Sequence, residues 1–150
     1  MKILINGLNQ MSDGAPITAM ATINPPLCKE YGIEVEIEQR DEGEIPHLHV
    51  YHSKERDPNN CSYIRLDVAE YSTHHKNNKK LNKQLKEQFI SVMKSNWAKH
   101  YHESPDGEVK IATGYIGAVD IWVECYEDGK YDKFTLDQNG DPVMPDYAKL

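Results

Sequence analysis

No apolar run in the chain approaches the roughly 18 residues of a membrane-spanning helix. The opening residues, MKILINGLNQ, turn polar at Asn6, well short of the apolar stretch of about 7–15 residues in a secretory signal. A cytoplasmic protein with no membrane partner is therefore expected. Cysteine is scarce: Cys28, Cys61 and Cys125 are odd in number and far apart. That excludes a disulfide framework or a zinc ribbon and leaves buried or idle thiols. The common catalytic signatures are missing as well. There is no G-x-S-x-G nucleophile turn, no G-x-x-x-x-G-K phosphate loop, no G-x-G-x-x-G dinucleotide turn and no H-E-x-x-H zinc helix. The sequence also lacks internal repeats and low-complexity tracts.

What remains is a chain of 150 residues, 39% hydrophobic and 27% charged, which suits a single globular domain over 1–150. The net charge of −7 sits in one place. Residues 103–150 carry eleven acidic and four basic side chains, 4 − 11 = −7, and residues 1–102 carry thirteen of each. This balance disfavours nucleic-acid binding. The one basic cluster, Lys76, Lys79, Lys80, Lys83 and Lys86, has no interleaved arginine or aromatic residue and reads as a solvated approach to a helix.

Ile33, Val35 and Ile37 alternate with Glu34, Glu36 and Glu38, the clearest period-two signal in the chain. A polar turn, Arg40 to Glu44, leads into Ile45–His52, IPHLHVYH. As a strand, this stretch puts His47, His49 and Tyr51 on one face and Leu48, Val50 and His52 on the other. Parity sets the hairpin register. With Val35 opposite Val50, Glu36 meets His49 and Glu34 meets Tyr51, and a slip by one residue would bury the glutamates among the apolar side chains. The expected fold class is α+β, a small antiparallel sheet with strands near 33–39, 46–52 and 62–68. Upstream, Lys2 to Asn6 and Ile17 to Ile23 have strand composition, and Asn24-Pro25-Pro26 ends the second of these.

Asn82 is placed to cap an amphipathic helix near 83–101. Its stripe of Leu85, Phe89, Val92 or Met93, and Trp97 would cover the sheet's inner face. Leu85, Phe89 and Trp97 are thus structural candidates, and truncating Trp97 to alanine is expected to cost about 3–5 kcal/mol. Ser104-Pro105-Asp106 suggests the start of a second helix near 105–126. That helix would have a polar stripe through Lys110, Thr113, Gly117, Asp120 and Glu124 and an apolar one through Tyr115, Trp122 and Tyr126. A short C-terminal hairpin is expected around Gln138-Asn139-Gly140, followed by a loose tail from Met144.

Four features occur in a set order: the strand GIEVEIEQ, a turn into Pro46-His47-Leu48-His49-Val50, the strand YIRLD, and a helix ending in Trp97. Together they resemble domain-of-unknown-function family 4160 of bacteria and their phages, with P-H-x-H-V as its signature, over about residues 30–100. The resemblance implies a small α+β domain. Its core would be 30–102, with a short N-terminal segment and an acidic extension over 103–150. It also implies a setting in toxin–antitoxin-like or mobile-element loci. It brings no reaction, cofactor or catalytic residue.

The seven histidines fall in three groups: His47, His49 and His52; His74 and His75; His100 and His102. His47 and His49 lie two apart on one strand face, with Glu36 or Glu38 beside them across the hairpin. Two histidines and a carboxylate, here His47, His49 and Glu36, form a known divalent-metal set that can generate a hydroxide nucleophile. His74 and His75 point apart, so one of them can add a ligand from its loop. The cupin pattern is not met, because Gly43 lies too close to His47 and the next acid, Glu55, too far on. Two readings compete: Glu36, Glu38, His47, His49, Tyr51 and Arg65 form a purely structural cross-strand ladder of paired charges, or a face that binds a partner. The sequence favours the ladder over the partner-binding face, and that face over the metal set. The expectation is an interaction or accessory module with a protein partner encoded nearby and no resident cofactor. The alternative is a metal-dependent hydrolase, in the nuclease class among others.

Overall fold

The structure is a computed structural model that describes residues 3–4, 20–23, 26–38, 45–53, 55–73, 75–97, 101–102 and 112–150. In chain order the elements are β1 (Ile3–Leu4), β2 (Met20–Ile23), α1 (Pro26–Tyr31), β3 (Glu34–Glu38), β4 (His47–Tyr51), β5 (Cys61–Arg65) and α2 (Lys83–Lys94). Then come β6 (Asn96–Trp97), β7 (Tyr101–His102), β8 (Ala112–Thr113) and α3 (Gly114–Tyr126). The fold is α+β. Its centre is a four-stranded antiparallel sheet in the order β2-β3-β4-β5, with the short pairs β1–β7 and β6–β8 outside it. No described helix is long and apolar enough to cross a membrane.

Pro26 opens α1 at a position where its missing N–H costs no hydrogen bond. Gly32, at φ +72°, then turns the chain out of the helix, and Ile33 N–H returns to the carbonyl of Cys28 at 3.1 Å. The chain enters β3 directly. The β3–β4 register follows the hydrophobic parity, with Glu34 opposite Tyr51, Val35 opposite Val50 and Glu36 opposite His49. The apolar face of β3, β4 and β5 meets α2 and α3 in one core cluster that holds Val35, Leu48, Ile64, Phe89, Met93 and Trp122. Phe134 and Tyr147 belong to the same cluster, so the acidic C-terminal third contributes to the core.

Several expectations need correction. The helix from Lys83 ends at Lys94 and does not continue to 101. Ser95 adopts an extended backbone, and both its N–H and its hydroxyl return to Val92 O, at 3.2 and 2.7 Å. Its own carbonyl accepts from Gly114 N–H at 2.8 Å, so the chain passes into β6. Trp97 therefore pairs with Ala112 in β6–β8 and is not part of the helical stripe. Its side chain lies outside the described residues. Asn82 does cap α2, its side chain accepting from Leu85 N–H at 2.8 Å.

The second helix begins at Gly114 and not near 105. Thr113 caps it by accepting from Ile116 N–H at 3.2 Å. Ser104-Pro105-Asp106 lies outside the described residues. Nor does α3 have a wet face: Gly117, Asp120 and Trp122 are all buried. The C-terminal hairpin reduces to one bridge, Leu136 to Pro142, around a turn in which Asp137 Oδ1 accepts from Asn139 N–H and Asp141 N–H. The tail is packed. The Tyr147 hydroxyl donates to Arg65 O at 2.7 Å, and Lys86 Nζ donates to Leu150 O at 2.9 Å. The third strand stops at Arg65, because the hydroxyls of Tyr147 and Tyr115 take the carbonyls of Arg65 and Leu66 that a neighbouring strand would have used. Val68 is exposed beyond it.

With Trp97 off the stripe, Phe89 is the largest α2 side chain in the core. It is fully buried, with its ring 5.1 Å from that of Tyr147. Phe89→Ala is expected to lower unfolding free energy by about 3–5 kcal/mol. Asn82→Ala is expected to lower it by about 1 kcal/mol, and Asn82→Gly by only a few tenths. Urea titration measures all three, and a Phe89→Ala loss under 1 kcal/mol would contradict this packing.

Candidate metal centre

β4 is buried along its whole length, on both faces. Its alternation therefore places two imidazoles inside the protein: His47 is 1% exposed and His49 3%. Their rings stack at 5.4 Å, tilted by 21°. A third imidazole, His75, comes from the segment between β5 and α2 and is half-buried. Its ring lies edge-on to both, 5.3 Å from His47 and 4.9 Å from His49. Tyr63 of β5, opposite His49, stacks on His75 at 3.8 Å and meets His49 edge-on at 4.8 Å. Trp122 of α3 walls the cluster, 5.7 Å from the His47 ring.

His47 Nδ1 lies 2.9 Å from the carbonyl oxygen of Ile45. A carbonyl only accepts, so Nδ1 carries the proton and the Nε2 of a neutral His47 carries a lone pair. That Nε2 faces Nε2 of His75 at 3.3 Å. Two nitrogens bound at 2.0–2.1 Å to a tetrahedral ion lie about 3.3–3.4 Å apart, so this pair already has ligand spacing. One donor atom from each of His47, His49 and His75 lies within 4.8 Å of the other two. The backbone carbonyl behind His47 is the kind of outer contact that fixes tautomer and ring orientation at metal sites.

Glu36, expected in this set, is directed elsewhere. It is fully buried, and Arg56 from the β4–β5 loop grips it at 2.9 and 3.0 Å. Arg56 also lies over the Tyr51 ring at 5.8 Å. It holds φ +54°, an unusual conformation for a side-chain-bearing residue. Arg65 turns to Asp67, at 2.9 and 2.7 Å, and to Glu70. Glu38 sits opposite Met20 at the edge of β3, and its side chain lies outside the described residues. The face expected to bind a partner is not open surface, since Glu36, His47, His49 and Tyr51 are all buried. The signal for His75 was present in the His74-His75 pair, but a loop gives no parity to say where a side chain points.

A serine–histidine pair also emerges. His52 Nε2 lies 2.6 Å from Ser62 Oγ. The serine hydroxyl donates to the carbonyl of Lys79, which can only accept. Its single proton is thereby used, so His52 donates to Ser62 and cannot act as its base. The pair is a structural tie between the sheet and the segment that leads to α2. Cys61 is no nucleophile either, because burial pushes its thiol up to about 12 and leaves it protonated at neutral pH. Cys28 is held at about 12 for the same reason. No protein-family model matches the chain, and neither do any curated protein or solved structure.

Burial, followed by the nearby Lys79 charge, holds the His52 imidazole below its usual range. The unfolded chain, titrating near 6.5, thus takes up this proton before the folded protein does. Stability that His52 contributes above about pH 6.5 is lost as pH falls towards the folded value. His52→Gln is expected to flatten part of the fall in unfolding free energy between about pH 6.5 and 5, measured by urea titration across that range. An unchanged slope would contradict this assignment.

Proposed function

We propose that this protein binds a divalent ion of the zinc class through His47, His49 and His75 and uses it for hydrolysis. The carrying observation is the convergence of three imidazole nitrogens within 4.8 Å, two of them at 3.3 Å. Three histidines with a fourth position for water form a donor set used by hydrolytic zinc centres. There the ion lowers the pKa of bound water to about 7 and supplies hydroxide to a carbonyl carbon or a phosphorus atom. The half-exposed His75 puts the solvent side of the centre at its loop.

The test uses untagged, metal-free protein titrated with zinc. At a hundred times the dissociation constant, a bound ion adds about 2.7 kcal/mol, or roughly 5–10 °C in melting temperature for a chain of this size. His49→Ala and His75→Ala are expected to abolish the shift, and Glu36→Gln to keep it. No shift with zinc, cobalt, manganese or nickel would overturn the proposal.

A protein-interaction role, of the kind the family resemblance implies, draws on a separate feature. Asp128, Asp132 and Asp137 are each exposed on the C-terminal segment and supply negative charge for a basic partner. Capture of the product of an adjacent gene, lost when these three become asparagine, would support it. Capture unaffected by the triple change would count against their role.

A further inference from the structure

We infer that Asn78 is the positioning residue of the metal centre: it holds the loop that carries His75 in the shape that lets His75 reach the ion. The inference rests on the metal reading above. His75 sits midway between two anchors, three residues after Ser72 and three before Asn78. At the first anchor, Ser72 N–H donates to Tyr63 O at 2.7 Å. At the second, the Asn78 side chain takes the place of a paired strand. Its Oδ1 accepts from Tyr63 N–H at 3.0 Å, and its Nδ2 donates to Tyr63 O at 3.2 Å. The same Nδ2 donates to Ser72 O at 2.9 Å, so one amide closes the ends of the loop on each other and on β5. Just beyond, Lys79 N–H donates to Cys61 O at 2.9 Å, and the chain rejoins the strand edge.

These restraints meet at Tyr63, the residue whose ring stacks under His75 at 3.8 Å. Strand, amide and ring thus locate one imidazole against two that β4 already fixes. Only asparagine makes all three bonds at this length. Aspartate keeps the acceptor but loses both donated bonds and sets a charge against two carbonyls. Alanine loses every bond and leaves Tyr63 N–H without its acceptor, while Tyr63 O keeps the bond from Ser72 N–H. His47 and His49 are set by strand register and need no such device. Third-ligand geometry is therefore the quantity that Asn78 controls. Groups bonded directly to a ligand typically change metal affinity by 10–100-fold, and Asn78, which acts on His75 through Tyr63 and the loop, is expected to have an effect of that order.

The experiment is cobalt binding to the full chain, read from the visible absorption of the bound ion and by competition with a chelator. Wild type, Asn78→Ala, Asn78→Asp, His75→Ala and the double variant Asn78→Ala/His75→Ala are compared, with circular dichroism to establish that each is folded. Both Asn78 variants are expected to weaken binding 10–100-fold and to alter the cobalt spectrum towards that of His75→Ala. In the His75→Ala background, Asn78→Ala is expected to change affinity less than about twofold, because its effect runs through that imidazole. If Asn78→Ala and Asn78→Asp bind cobalt within twofold of wild type, or if their effect persists undiminished without His75, this inference fails and the metal reading stands. If wild type itself takes up no cobalt, the metal reading fails and this inference falls with it. If Asn78→Ala does not fold, Asn78→Asp and the double variant Asn78→Asp/His75→Ala decide by the same two thresholds.

Discussion

A strand covered on both faces cannot keep a polar side, and β4 is such a strand with histidines at alternate positions. His47, Leu48, His49, Val50 and Tyr51 are all buried. Leu48 and Val50 join the apolar core, while His47 and His49 are committed to the opposite side, where each imidazole must find partners or destabilise the fold. The carbonyl of Ile45 meets Nδ1 of His47, and Tyr63 and His75 close around His49. The pairing of β4 with β3 and β5 thus does two jobs. It aligns Val35, Val50 and Ile64 towards the helices, and it fixes two imidazole nitrogens where a third can join them.

The same buried face holds the Glu36 carboxylate. Glu36, opposite His49, would be the natural competitor for the histidines or for an ion. Arg56 pairs with it at 2.9 Å, at the cost of a left-handed backbone. Glu36 is buried while Arg56 is partly exposed, so removing the arginine would leave a buried carboxylate uncompensated. At the end of β5, Tyr147 and Tyr115 take the carbonyls of Arg65 and Leu66. This lets the chain leave the sheet at Arg65 and return as the segment that carries His75.

How much of this could be read in advance divides along periodicity. The IEVEIE and HLHVY runs gave the β3–β4 register and the two faces of β4, because a period of two leaves little freedom when one face is apolar. Asn82 was legible as a cap from its chemistry. The end of α2 was not: Trp97 continues the helical spacing, but Ser95 turns its N–H and hydroxyl back to Val92 and stops the helix first. The helix from Gly114 misled in another way. Gly117 lacks a side chain and Asp120 is bonded to Tyr131 at 2.5 Å, so a sequence stripe that looks polar is buried. Glu36 was grouped with the histidines on register alone, which could not foresee an arginine twenty residues on. His75 stayed ambiguous because its placement depends on one asparagine side chain standing in for a strand, which no hydrophobic pattern encodes.

The central claim is that three imidazoles converge as ligands to one ion. X-ray absorption at the zinc edge, on protein loaded with one equivalent of zinc, tests it most directly. The account predicts a first shell of nitrogen and oxygen at about 2.0–2.1 Å, with the outer-shell scattering of three imidazole rings that falls to two in His75→Ala. A sulfur shell at about 2.3 Å, or an outer shell unchanged by His75→Ala, would contradict it.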